Sequence, residues 1–553
     1  MIAVALLAAG SAKAANTTHV VAFAEPDAGF IFAYRRALTA GPSQPTIDDL
    51  QRVAYPVRRT SLATTPTNRS RIEVADPYTS PVTTLVAEGD SAPGMSTDVV
   101  FGGFDSVHVT SDGTIGFEAD LAGPGVSSSP DSEDSYWLKL GAAAPQLLIR
   151  RGAPLPGRNP NEIVDHYLRP ELAQDGVAVI QARVNGMDGI WQYDPIREFR
   201  LVAQDGMPAP GLPPGTTFDQ TWNDPVVNSL GRVAFGSGLA GGTVTSQDDR
   251  AIWTNRSGDL ELIVREGEIA PGTNSRFGSV LRNNNLAFNS SGAIAFATTA
   301  GRKGGIWLDD GSGGLSLVAI SDGAATSVGA NASFTATGTP LLSEQGDLVF
   351  DAYYRLNNSS PVQQGIFRKS GVAEPQLEVN LTDGLPGWNA LSIQELDQYS
   401  QQLMGPVLND LGRMAFGVQR QKQNTPNVDY GIWVQDRAGR LRLAAQTGDE
   451  IDVNPGPGTD LRTLSSIAPW HVDDGPVGLA SGGDDGRPIS FNNRGEVSFT
   501  VRFTDGSSAV IVSSIGAIPE PGSALLAVLA SATLAVTCRG RRPHRGRRRR
   551  WQF

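Results

Sequence analysis

The chain has 553 residues, 40% of them hydrophobic and only 18% charged, which is enough apolar material for a packed core and excludes an unfolded polyelectrolyte. Its formal charge of −12 conceals an asymmetry: eight arginines follow Cys538, and without them 37 basic residues face 57 acidic ones, a body charge of −20 that, with no basic groove of interleaved aromatics, argues against a phosphate-backbone partner. Cys538 is the single cysteine, so no intramolecular disulfide forms, and 63 glycines and 36 prolines against 7% aromatics point to short strands joined by turns.

At the start of the chain, Met1 to Ala12 is apolar and small and runs into Ala12-Lys13-Ala14, an A-x-A cleavage pattern. Residues 1–14 therefore read as a secretory signal peptide. Residues 15–80 read as an N-terminal extension, with a Thr/Pro/Arg-rich linker from Pro56 to Ser70.

From residue 81 to 514 the chain repeats itself. One unit is a turn followed by an apolar strand, as in Asn228-Ser-Leu-Gly231-Arg-Val-Ala234-Phe235 and Asn289-Ser-Ser-Gly292-Ala-Ile-Ala295-Phe296. It recurs around Gly412 and Gly495, with degenerate copies around Gly113, Gly176 and Gly346, so these glycines are separated by 63, 55, 61, 54, 66 and 83 residues. Gly supplies positive φ in a tight turn, and Asn or Asp bonds its own backbone there. A second strand follows each turn, with Trp191, Trp253, Trp307 and Trp433 at one phase. That recurrence reads as blade core, since a side chain at a constant strand phase faces a constant side.

A third strand runs into a Gly-Pro turn, as in Leu201 to Gly211 and Leu262 to Gly272. Its first copy, Leu85 to Gly94, precedes the first NxxG turn, and no copy follows the last. Circular closure explains this phase, with an N-terminal strand completing the final unit. The expectation is an all-β propeller of about seven blades, and the competing architecture is an open array of small β-modules. These motifs resemble bacterial surface proteins described as tandem NxxGxxAF repeat proteins with variable C-terminal anchors. That resemblance spans Leu85 to Ser514, implies a surface location and specifies no activity.

Residues 515–553 carry Pro519-Glu520-Pro521, an apolar run from Ser523 to Cys538, and the arginine cluster beginning Arg539, Arg541, Arg542. Pro-Glu-Pro cannot enter a helix, so it stays extended and accessible. The run of about 16 residues is short for a membrane span, and the arginines would hold its far end in the cytoplasm. The order of the three elements resembles the PEP-CTERM sorting signal recognised by membrane-embedded exosortases. It implies an exosortase partner, transient anchoring in the inner membrane, removal of the tail, and delivery to the cell surface or matrix.

No chemistry-bearing motif stands out. The five histidines, His19, His108, His166, His471 and His544, lack zinc spacing, and there is no G-x-S-x-G elbow or P-loop. No cofactor is expected. Acidic clusters at Asp131 to Asp134, Asp309-Asp310, Asp473-Asp474 and Asp484-Asp485 offer at most a weak Ca2+ loop site, and none has the spaced D-x-D-x-D-G pattern. Trp222, Trp388 and Trp470 fall outside the repeated strand phase and are the candidate ligand contacts. The reading that follows is an exported surface or matrix protein whose propeller is a non-enzymatic scaffold for extracellular polysaccharide or a surface protein. Its rivals are a propeller enzyme, a glycoside hydrolase or lyase with channel carboxylates, and a plain coat protein.

Overall fold

The computed structural model describes residues 18–517 apart from 26–29, 32–44, 60–69, 79–81, 128–132, 279–285, 389–398, 426–427, 455–457, 469–485 and positions 169, 224, 313 and 423. The described residues form eight antiparallel sheets of four or five strands, and their only helical elements are two three-residue 3-10 turns. Taken in chain order as blades 1 to 8, the first seven run from Phe30 to Ala87, Val100 to Arg150, Val164 to Gln204, Thr216 to Arg265, Leu286 to Ile320, Ser333 to Asn380 and Tyr399 to Gln446. Blade 8 runs from Glu450 to Ser513 and takes its last strand from Thr18–Ala24.

Within a blade the strand order is a-b-c-d, and the NxxG turn joins a to b. Strand c is the Ile-Trp strand and d the Leu-Val-Ala strand. In all eight blades the c–d ladder skips one residue at the same place. Val202 is unpaired between Ala203↔Ile190 and Leu201↔Trp191, and Ile263, Val318 and Ala444 take that position in blades 4, 5 and 7. Such a bulge sharpens the local twist, so d leans over the next blade.

Eight blades, rather than about seven, follow from a unit at residues 46–87 that was expected to be extension and linker. Asp48-Asp-Leu-Gln51-Arg-Val-Ala54-Tyr55 is an eighth NxxGxxAF copy with Asp in the Asn slot and Tyr in the Phe slot. Gln51 occupies the glycine position at φ 70, and Pro56 lies inside the strand Val53–Arg59. The Leu85 to Gly94 stretch, expected to supply the strand that completes the last unit, instead gives blade 1 its own outer strand, Thr83–Ala87. Closure comes from Thr18–Ala24, whose Val20-Val21-Ala22 mimics Leu-Val-Ala and carries the same bulge, at Val21 opposite Ile511 and Val510. Thr18 faces Ser513, so the two ends of the described chain lie side by side.

The core is divided rather than central. Each of eight buried apolar clusters lies between two successive blades, from Ile72 with Phe101 and Phe117 between blades 1 and 2 to Val510 and Val512 with Val53 and Tyr55 between 8 and 1. A blade alone would expose both faces, so stability here is a sum of neighbour contacts around a ring. The three sequence motifs meet in these interfaces. The b-strand Phe stacks on the c-strand aromatic (Phe235 on Trp253 at 6.3 Å, Phe416 on Trp433 at 5.8 Å), and a third ring meets it edge-on (Phe218 at 4.9 Å from Trp253). The indole N–H groups of Trp253, Trp307 and Trp433 donate to the carbonyls of Pro210, Pro271 and Pro386. The glycine after each of these prolines packs on the d-strand Leu of the same blade, where a Cβ at Gly387 would come within 2.5 Å of Leu443.

The NxxG asparagine has two jobs. Asn409 Oδ1 accepts the Arg413 N–H at 2.9 Å and closes its own turn, while Nδ2 donates to the Asn492 carbonyl of the next blade at 3.0 Å. The same link runs from Asn228 to Asn289, from Asn289 to Ser343, and from Asn492 to the Asp48 carbonyl across the closure. Asn409→Ala leaves the Arg413 N–H without its acceptor and removes one of the two bonds to the Asn492 carbonyl, which keeps the Gly495 N–H, and is expected to lower stability by about 1–3 kcal/mol in denaturant unfolding. Asn409→Asp keeps the acceptor and is expected to lose about half of that. Equal, near-zero shifts for both variants would show that the turns do not tie the blades together.

Candidate functional site

A substrate channel in a closed propeller would run along its axis. The innermost strands of the blades converge there, and residues Gly486 to Ile489 of blade 8 lie between them. The Gly486 carbonyl accepts from Leu172 N–H of blade 3 at 2.8 Å, and the Ile489 carbonyl from Ile47 N–H of blade 1 at 2.9 Å. The buried Arg487 guanidinium reaches the Leu286 carbonyl of blade 5 at 2.7 Å, and a Cβ at Gly486 would strike Val227 of blade 4. Contacts with blades 1 and 5, on opposite sides of the ring, mean that this segment sits on the axis. It belongs to the insertion that stretches the last glycine interval to 83 residues. At the NxxG end the segment borders a void of about 10 Å3, room for about one water.

The second residues of the NxxG turns surround that void. Asn493 Nδ2 donates to Asp49 Oδ2 at 2.8 Å and to Asp410 Oδ2 at 2.6 Å, while Asn493 Oδ1 accepts the Asp410 N–H at 3.0 Å. Ser290 donates to Glu344, and Gln174 to Ser111 at 2.9 Å. Two carboxylates thus meet near the axis, both held by one amide. The seven turn glycines, Gly113, Gly176, Gly231, Gly292, Gly346, Gly412 and Gly495, all have φ between 69° and 93°, as the turn requires. Several of their carbonyls take a bond from the preceding blade, from Arg52 to Gly113, Arg256 to Gly292 and Arg368 to Gly412.

A recess with room for a ligand lies on this same face, between the turns of blades 4 and 5. It holds about 330 Å3 and is lined by Leu230, Arg232, Arg256, Ser257, Ser291 and Ser312, among others. Arg256 is fixed in its wall, with both terminal nitrogens on Asp309 at 2.8 and 3.2 Å and Nε on Glu261 at 2.8 Å. Burial opposes its charge, but Asp309 and Glu261 outweigh that and hold its pKa above the usual value. Asp310 is held below the usual carboxylate range by the Ser312 hydroxyl and N–H. The Asp309-Asp310 cluster therefore serves an ion pair and a turn, and the described residues contain no group of three His, Cys, Asp or Glu placed to hold a metal ion.

The tryptophans singled out as ligand contacts are packing residues where they are described. Trp388 meets Trp433 edge-on at 5.0 Å, in the slot that Phe101 and Phe218 fill in blades 2 and 4. Its N–H bonds Gln446 at 2.9 Å, and Arg420 lies 4.6 Å over the ring. Half-buried Trp222 packs beside Phe218 and Phe235 and donates to Asp205 at 2.8 Å. Both extend a core ring cluster from just outside the c-strand phase, which made them look free in sequence. Trp470, Pro519, Glu520, Pro521 and Arg539, Arg541 and Arg542 lie outside the described residues. Among those described, no helix is long and apolar enough to cross a membrane. The recess was not legible in sequence: Arg232 and Ser291 are variable positions of the repeat, and only blade adjacency brings them together.

Eight sheets closed on themselves through an N-terminal strand, around a filled axis, define an eight-bladed β-propeller. A family model described as a family of unknown function (DUF7453) matches residues 33–323 and again 297–525, and the chain belongs to that family. The double match fits its internal repetition. No curated protein sequence matches the chain. Among solved structures it is similar to a protein from Lactobacillus plantarum (13% identity, 72% of this chain and 95% of that one, TM-score 0.29). It is also similar to a Trypanosoma rangeli sialidase in complex with the inhibitor DANA (10%, 90% and 96%, 0.26). A third is the exo-β-1,3-galactanase of Phanerochaete chrysosporium (9%, 91% and 97%, 0.24). At these scores the likenesses support no statement about activity.

Proposed function

We propose that this chain is an exported surface or matrix protein, sorted by an exosortase, whose propeller is a non-enzymatic binding scaffold. The observation that carries the scaffold reading is the filled axis, where Gly486 to Ile489 take the room a channel substrate would need. The address rests on the sequence of the two ends: the A-x-A pattern at Ala12 to Ala14, and Pro519-Glu520-Pro521 with its apolar run and arginines. Once the tail is cut, the acidic propeller is free to join the surface layer.

The address is tested by fractionating cells that make the chain or its Pro519→Ala, Pro521→Ala variant. The unaltered chain is expected at the surface in a shortened form, and the variant at full length in the inner membrane. Identical fractionation of the two would sink the sorting reading. The scaffold is tested by incubating the purified chain with polysaccharides and following their length by mass spectrometry, with no shortening expected. One observation favours the hydrolase alternative, the meeting of Asp49 and Asp410 at Asn493. Shortening that Asp49→Asn abolishes would replace the scaffold reading with that one.

A further inference from the structure

Arg232 lines the recess between blades 4 and 5 and, unlike its counterparts, has nothing to hold. Arg52, at the same place in the turn of blade 1, bonds Asp48 at 2.8 Å, and Arg413 in blade 7 donates to the Asn493 carbonyl. The Arg232 backbone N–H is bonded to Asn228 Oδ1 at 2.9 Å, but among the described residues the guanidinium of this partly exposed residue has no carboxylate or hydrogen-bond partner. Its charged neighbour across the blade is another cation. Burial, and then the Arg232 charge, hold the pKa of Arg200 down, and Arg200 itself is held by Gln192 Oε1 at 3.0 Å from its Nε. A guanidinium with no carboxylate partner, beside a like charge at the wall of a recess, is available to an anion, and its planar fork matches a carboxylate in two-point contact.

The rest of the wall limits what carries that anion. Ser257, Ser291 and Ser312 and the Gly292 and Gly311 turns line it together with the paired Arg256 and Glu261, so it offers both donors and acceptors over about 330 Å3, the size of a small-ligand pocket. A molecule that is both donor and acceptor at every carbon fits such a wall. A peptide fits less well, because the recess is walled mainly by tight turns and meets the edge strand Glu261–Arg265 only at its first residue, too short a stretch for a peptide strand to join. We infer that this recess binds a carboxylate-bearing sugar, a uronate unit of an acidic polysaccharide, with its carboxylate on Arg232 and its hydroxyls on the serines. The inference deepens the scaffold reading and rests on it. The body charge of −20 does not forbid it, because at physiological salt charges beyond about 8 Å are screened, and the wall carboxylate Glu261 is already paired with Arg256.

The test is calorimetric titration of the full chain with oligogalacturonate and with its methyl-esterified, uncharged form. The acid is expected to bind at least tenfold tighter than the ester, with Arg232→Gln losing about 10- to 100-fold for the acid alone and keeping its melting temperature. Arg232→Lys keeps the charge without the planar fork and is expected to fall between the two. Equal affinity for acid and ester, an unchanged Arg232→Gln, or no binding of either oligomer would each overturn the assignment. A chain that reaches the surface, leaves polysaccharide uncut and ignores these oligomers would sink the recess alone and leave the scaffold standing.

Discussion

A chain lacking Thr18–Ala24 is expected to lose about 3–6 kcal/mol of stability, a large share of the 5–15 kcal/mol typical of folded domains. Six residue pairs join this strand to Ser508–Ser513, and Val21 and Ala24 cap the cluster that joins blade 8 to blade 1. Without it, a strand whose six residues are all buried becomes an exposed apolar edge, Ala509-Val-Ile-Val512, open to strands from other copies. Urea unfolding should therefore broaden and move to lower urea, with association at high concentration. Added peptide of sequence Thr18–Ala24 should restore part of the loss. A truncated chain with an unchanged midpoint would mean that the ring does not depend on this closure. Val21→Asp is a gentler version, since it keeps the ladder and puts a charge into the same interface, and its shift should be of the same sign.

Trp433→Ala is expected to cost about 3–5 kcal/mol, the range for emptying a fully buried large aromatic site. Its ring is stacked on Phe416, met edge-on by Trp388 and bonded to Pro386, so no neighbour can move in without breaking another contact. The conservative changes separate packing from hydrogen bonding. Trp253→Phe leaves the Pro210 carbonyl without the partner it has at 3.1 Å, whereas Trp191 has a buried N–H with no partner in the described structure. Trp191→Phe should therefore be milder than Trp253→Phe by about 1 kcal/mol in paired denaturant titrations. The reverse order would show that ring volume alone sets the cost of these positions.

Motifs that repeat were legible because each has a local cause. A glycine at positive φ, an Asn that closes its own turn and an aromatic at one strand phase leave marks at fixed offsets. Turn, strand identity and closed ring could all be read from those offsets. The eighth copy escaped because Asp48 and Gln51 fill the Asn and Gly slots, and Gln51 adopts φ 70 without the residue that usually announces it. Val20-Val21-Ala22 hid the closing strand in the same way, by doing the work of Leu-Val-Ala with other letters.

What the sequence determined by itself, then, is the repeated unit, its turns, its core aromatic and the need for a strand from the front of the chain. What only the tertiary structure decided is everything that depends on which units become neighbours. Asn409 bonding the carbonyl 83 residues away, Trp388 entering the ring cluster of blade 7 and Gly486 to Ile489 filling the axis all pair residues with no common spacing in the chain. Arg232 differs from Arg52 only in what stands beside it, because hydrogen bonds and ion pairs act over a few ångströms and closure alone sets those distances.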